Sequence, residues 1–243
     1  MKIKIINPNT TWSMTREIEE SAKQSAREDT EIYAVSPVTG PDSVESLYDE
    51  ALAAPGVISE VIKGDREEGA DAFIIACFGD PGLEAAKEVT DKPVIGIAQA
   101  AIAVGKLMAP NFSILYVLDR SQKIIENVLT LHHAEEDCCS IRSVGLGVLE
   151  FEDKEVLLQA LLKQGKRCVE EDGAECILLG CAGYTAFAEE MGQELGVLVL
   201  DGVVPAVKLC ESLVDMALKT PKKKLWAYPD AKEISGFYEL TKY

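Results

Sequence analysis

Two cysteines stand in matching settings. Cys77 closes Gly69-Ala70-Asp71-Ala72-Phe73-Ile74-Ile75-Ala76-Cys77-Phe78-Gly79, and Cys181 closes Gly173-Ala174-Glu175-Cys176-Ile177-Leu178-Leu179-Gly180-Cys181-Ala182-Gly183, 104 residues later. Each is the end of an apolar run followed by Cys-x-Gly. A thiol at the carboxyl end of a buried strand faces the edge where open α/β sheets bind ligands, and the glycine lets a ligand approach the backbone closely. Amide N–H groups at the helix start that follows carry partial positive charge. They favour thiolate and predict a pKa below the ordinary ~8.5. A thiol near its pKa can accept or donate a proton. Two such groups facing each other are suited to inverting a carbon acid. One takes its proton, and the other returns a proton to the opposite face. The inversion passes through an enolate, with no metal and no cofactor. The enolate oxygen needs hydrogen-bond donors; Asn9-Thr10-Thr11 and the amides after each cysteine are the candidates. The competing reading is that both thiols are buried structural cysteines, as Cys168, Cys176 and Cys210 are expected to be from their place inside helix or strand patterns.

The rest of the composition narrows the chemistry. Seven cysteines face only two histidines, the neighbours His132 and His133, so a Ser-His or Cys-His hydrolase is excluded unless one of these is the base. His132-His133 with Cys138-Cys139 has poor spacing for a tetrahedral ion, and no metal is expected. The 243 residues carry 41 acids and 24 bases, a net charge of −17, which repels phosphate backbones and argues against a nucleic-acid partner. The apolar run in residues 1–6 stops at Asn7-Pro8, too short for a signal peptide, and no stretch approaches the ~20 residues that span a bilayer. A cytoplasmic protein with reduced thiols is expected, acting on a small molecule, without a membrane partner, as a homo-oligomer.

Positioning these residues requires a regular scaffold. Strand patterns at 2–6, 32–36, 72–76, 94–97, 112–117, 141–148, 176–180 and 197–200 alternate with helical patterns near 12–28, 44–66, 81–90, 98–108, 121–134, 153–172, 184–195 and 203–219. The strands are continuous Ile/Val/Leu runs, as in sheets covered on both faces. The expected fold is α/β, two pseudo-symmetric doubly wound parallel-sheet halves with the site in the cleft between them. The repeat around the cysteines extends to Val94-Ile95 against Leu198-Val199, and Ile3–Pro8 is echoed at 113–118. Asp153 is expected to cap a helix, and Asp80 to cap the one that follows it, with Pro81 in its first turn. The acids at 17, 19, 20, 28, 29 and 31 read as a solvent face, Lys222-Lys223-Lys224 as a solvated linker, and the tail aromatics Trp226, Tyr228, Phe237, Tyr238 and Tyr243 as packing on the first half or a subunit interface.

The motifs together resemble a family. Ile5-Ile6-Asn7-Pro8-Asn9-Thr10-Thr11 with Met14-Thr15, Gly40-Pro41-Asp42-Ser43-Val44-Glu45-Ser46 with Tyr48-Asp49-Glu50-Ala51, Cys77-Phe78-Gly79-Asp80-Pro81-Gly82-Leu83, Leu179-Gly180-Cys181-Ala182-Gly183 and Asp201-Gly202-Val203 are similar, in order, to the hydantoin and allantoin racemases of the aspartate/glutamate racemase superfamily. The resemblance implies cofactor-independent proton transfer by Cys77 and Cys181, each serving one enantiomer. It implies a pocket lined by Pro8, Asn9, Val44, Phe78, Gly79, Ala182 and Gly183. It also implies halves of 1–97 plus 208–243, with a returning C-terminal helix, and 98–207. Two positions depart from the family pattern: Tyr116 and Val117 stand where two threonines are usual, and Tyr184 where a Met is frequent. These are further expected wall residues, and they change the polarity and size of the pocket. The expected reaction is inversion of a carbon next to a carbonyl, C5 of a 5-substituted hydantoin or allantoin. The alternatives are an aspartate/glutamate-type amino-acid racemase, a related decarboxylase, which needs only one cysteine, and a non-catalytic ligand-binding protein on the same fold.

Overall fold

The computed structural model describes residues 1–150 and 153–235. The first half runs β1 (Lys2–Ile6), α1 (Trp12–Ser25), β2 (Glu31–Val35), α2 (Leu47–Lys63), β3 (Ala72–Ile75), α3 (Leu83–Val89) and β4 (Val94–Gly96). After α4 (Ile97–Met108), the second half repeats the plan: β5 (Phe112–Tyr116), α5 (Gln122–Leu131), β6 (Cys138–Ser143), α6 (Lys154–Glu170), β7 (Cys176–Leu179), α7 (Ala188–Leu195) and β8 (Leu198–Leu200), followed by α8 (Val203–Asp215). The sheets are ordered β2-β1-β3-β4 and β6-β5-β7-β8, and all strands are parallel. Parallel pairing needs a crossover between neighbours, and the helices supply it on both faces. All residues of β3 and β7 are therefore buried, which is why they read as unbroken apolar runs.

Helices α4 and α8 join the halves. In α4, Ile97 and Ala100 pack in the core of the first sheet, and Ala98, Ala101 and Ile102 pack with β5 and β7 of the second. In α8, Val203, Ala206, Val207 and Cys210 return to Ile3 and Ile5 of β1. Burying such side chains contributes roughly 1.5–3 kcal/mol each relative to exposure, for the larger ones. Lys4 is an exception inside β1. It is fully buried, and Glu60 and Glu68 each hold its ammonium at 2.7 Å.

Several local expectations are corrected. Strand β6 begins at Cys138, not near 141, because its residues pair with β5 from Phe112 onward. It ends at Ser143, and Gly145, at φ +80°, turns the chain away. The apolar run 144–148 therefore leaves the sheet, and Val148 reaches the cavity described below. Asp153 caps α6 as expected, accepting from the amides of Glu155 and Val156. Lys222 is not a solvated linker residue: its ammonium donates to the carbonyls of Lys87, Glu88 and Thr90, which end α3. Trp226 packs on the first half, donating to Glu84 at 2.9 Å. Phe237, Tyr238 and Tyr243 lie outside the described residues. No described helix is long and apolar enough to cross a membrane.

Candidate active site

The two thiols line one cavity, at the carboxyl ends of β3 and β7. Its free space is about 50 Å³. Behind Cys77 the chain makes a tight turn: the Asp80 amide donates to the Cys77 carbonyl at 2.9 Å, with Asp80 at φ +48° and Gly82 at φ +76°. Cys181 precedes a 3-10 turn, Ala182–Phe187, in which the Tyr184 amide donates to the Cys181 carbonyl at 3.0 Å. Gly180 lets this strand end press on its neighbour: its amide donates to the Leu115 carbonyl at 2.6 Å, and a Cβ there would meet that same oxygen at 2.7 Å.

Each thiol turn is anchored to a helix that joins the halves. The buried Asp80 carboxylate accepts from the amides of Ala98 and Gln99, at 3.2 and 2.9 Å. It therefore caps α4, not α3 as expected from its place in the sequence, where Gly82 holds the cap position. Gly96 makes room for it, since a Cβ there would run into the carboxylate. Asp201 does the equivalent for α8, accepting from the amides of Val203 and Val204, with Thr185 of the Cys181 turn at 3.4 Å.

The Asn7-Pro8-Asn9 corner supplies a donor. The Asn9 side-chain oxygen accepts from Asn7 Nδ2 and from the Thr11 amide, both at 2.9 Å, which turns its Nδ2 group toward Met14 on the cavity wall. The Thr10 and Thr11 hydroxyls are not available as donors: they bond the carbonyls of Pro41 and Asp42 and pin the 41–42 loop. Pro8, Asn9, Val44, Phe78 and Gly79 line the first-half side, and Tyr116, Val117 and Ala182 the second. Tyr116 is buried, and its hydroxyl is engaged by Ser143, so the wall at 116–117 is apolar. Gly183 does not form wall; its amide reaches the Cys181 thiol instead. Tyr184 is fully buried in the core behind that turn. Met14, Glu50, Ser121, Ile124, Ile125 and Val148 also line the cavity. Of these, Met14 and Glu50 lie inside the family motifs, but as a helix residue and a helix-start acid they carried no cavity signal.

The electrostatics differ from the dipole argument. Burial pushes the Cys77 thiol well above its ordinary range, and the Gly79 amide opposes this only in part. Burial likewise pushes Cys181 up to about 12 against the Gly183 amide. Desolvation of a charge outweighs one hydrogen bond where no cation is near, and no Lys, Arg or His lines the described wall. Glu50 is pushed up to about 7, by burial and then by the Asp80 charge. Among the described residues no cluster of three or more His, Cys, Asp or Glu is gathered as for a metal. His132 turns to Asp80 at 3.9 Å, whereas Cys138 and Cys139 open β6.

Residues 3–210 match the model of the Asp/Glu/hydantoin racemase family. The chain is 52% identical, over 98% of its length and 96% of the relative's, to a hydantoin racemase of Pseudomonas sp. (strain NS671). Its structure resembles that of an allantoin racemase from Klebsiella pneumoniae, with TM-score 0.96 and 42% identity over all of both chains. A glutamate racemase from Francisella tularensis shares the fold, with TM-score 0.67 and 16% identity over 89% of this chain and 81% of that one.

Proposed function

The chain belongs to the Asp/Glu/hydantoin racemase family and is a racemase, and from that premise we propose that it inverts C5 of a 5-substituted hydantoin or allantoin by two-thiol proton transfer. The observation that carries this reading is the pair of thiols, at equivalent strand ends, lining one cavity. One thiolate takes the C5 proton, and its electron pair passes into the ring carbonyl. The opposite thiol then protonates C5 from the other face. The Asn9 amide group and the wall's backbone amides share the oxyanion charge. The absence of a cationic side chain from the described wall favours a neutral ring over the anionic amino acid of an aspartate/glutamate-type racemase. Related proteins named hydantoin racemase and allantoin racemase support the same substrate class.

The test is a polarimetric assay of hydantoins and allantoin with Cys77→Ala and Cys181→Ala. Each variant is expected to lose racemisation by about 10³-fold or more, because one face then lacks its proton donor. In deuterated buffer each is expected to retain C5 exchange of one enantiomer. Full racemisation by either variant overturns the two-thiol mechanism.

A further inference from the structure

A site built this way has a charge problem. A carbon acid needs a thiolate, yet both thiols are held protonated by burial, with no cation on the described wall to offset a sulfur anion. The wall does carry one carboxyl, Glu50, from the first turn of α2. Its Oε1 is buried with no hydrogen-bond partner. It lies against Gly79, where a Cβ would run into it, and the Gly79 amide points at the Cys77 thiol. Burial and then the nearby Asp80 charge make Glu50 the wall group that ionises near neutrality. The other acids nearby are engaged: Asp49 binds Ser46 and the Glu45 amide, Glu45 accepts from the Val148 amide at 2.7 Å, and Asp80 holds the start of α4 with His132 behind it.

We propose that Glu50 stores the negative charge of the site between turnovers and takes the proton of Cys77 once substrate is bound. This assignment rests on the two-thiol reading above. The S–H bond of Cys77 breaks as an O–H bond forms on Glu50, and the electron pair stays on sulfur. The thiolate then takes the C5 proton, and that C–H pair passes into the enolate. Cys181 protonates the opposite face and is left as thiolate. The Glu50 proton returns to it through water, which restores two thiols and one carboxylate. The reverse direction uses the same states in reverse order, so one carboxyl serves both enantiomers. A sulfur anion is thereby made without any cation, since the site exchanges one negative charge between oxygen and sulfur.

The test is the pH dependence of kcat/KM for racemisation in the full chain, Glu50→Gln and Glu50→Asp. The parent rate is expected to rise with pH through about 7 and level off, as the Glu50 carboxylate forms. Glu50→Gln is expected to lose this limb and about 10²-fold in plateau rate, and Glu50→Asp to recover the limb at reduced rate. In the Cys181→Ala background, C5 exchange by Cys77 falls with Glu50→Gln, and in the Cys77→Ala background exchange by Cys181 falls as well, because its thiolate also forms by proton transfer to Glu50. A limb that survives Glu50→Gln, or a parent rate that falls through pH 7, overturns the assignment. Circular dichroism melts confirm that each variant is folded. Failure of the two-thiol reading shows separately, as racemisation by a protein lacking one thiol.

Discussion

The two halves share strand order, the position of the thiol and a following glycine, yet they surround their thiols differently. In the first half, a carboxyl from α2 presses on Gly79 beside Cys77, and the following turn contains two residues at positive φ. In the second, the strand end presses on Leu115, and buried Tyr184 stands behind Cys181. Lys4 in β1 is a buried ammonium held by two acids, whereas Ser113, at the equivalent register position in β5, is a buried hydroxyl bonded to Ser140 at 2.8 Å. The backbone repeat places two thiols; the unrepeated side chains give each a different setting. Pseudo-symmetry thus governs position, and side-chain chemistry is free to differ.

Gly79→Ala attacks this contrast most strongly. The added methyl runs into Glu50 Oε1 and approaches Ile124 Cγ2 at 3.0 Å, moving the carboxyl off its place beside Cys77. A loss of about 10²-fold in kcat/KM is expected, with little change in a urea unfolding curve. A racemisation rate close to that of the parent would show that the two thiol settings are interchangeable. Next comes Gly180→Ala, set against Ala76→Gly at the equivalent place in the first half. The methyl at Gly180 meets the Leu115 carbonyl at 2.7 Å, backbone that cannot easily yield, so a cost of about 1–3 kcal/mol is expected in urea unfolding. Ala76→Gly loses one small buried side chain and costs about 1 kcal/mol. Equal costs would mean that the two strand ends are packed alike. The smallest effect is on stability with pH. The folded protein raises the Glu50 pKa to about 7, above its unfolded value, so it binds a proton more readily than the unfolded chain. Its contribution is most favourable below about pH 4 and is lost as pH rises through about 7. Glu50→Gln is therefore expected to raise Tm by a few degrees at pH 8 and by less at pH 5, as scanning calorimetry measures.

Much of this architecture was legible in the residues. Buried parallel strands leave a plain signature, and the duplicated Cys-x-Gly marked both thiols and the two-half plan. What was hidden depended on distance through space. Asp80 reads as a cap for the helix next to it, but its partners lie at Ala98 and Gln99, across β4. Glu50 reads as a helix-start acid, and only the fold carries it against Gly79. The apolar run 144–148 has strand composition, and the amides of Val144 and Gly145 still bond the carbonyls of Tyr116 and Val117, but Gly145 at φ +80° then turns the chain out of the sheet. The thiol pKa runs opposite to the dipole expectation, because helix-start amides are visible in a motif, whereas desolvation is set by everything that surrounds it.

The crossings between the halves carry a mechanical consequence. The chain leaves the first half through α4 and comes back through α8, and the two helices pack together. At their starts Gly202 sits so close to the Ile97 carbonyl that no side chain fits between them. Because α4 also packs into the cores of both sheets, the two touching links form one shared spine between the halves. The halves are also tied elsewhere: α1 packs on the Ala182–Phe187 turn, and Glu45 accepts from the Ser121 hydroxyl and the Val148 amide of the second half. Asp80 and Asp201 fasten the thiol turns to the starts of these same helices, so the spacing of the two cysteines is set by the pair of crossings that joins the halves.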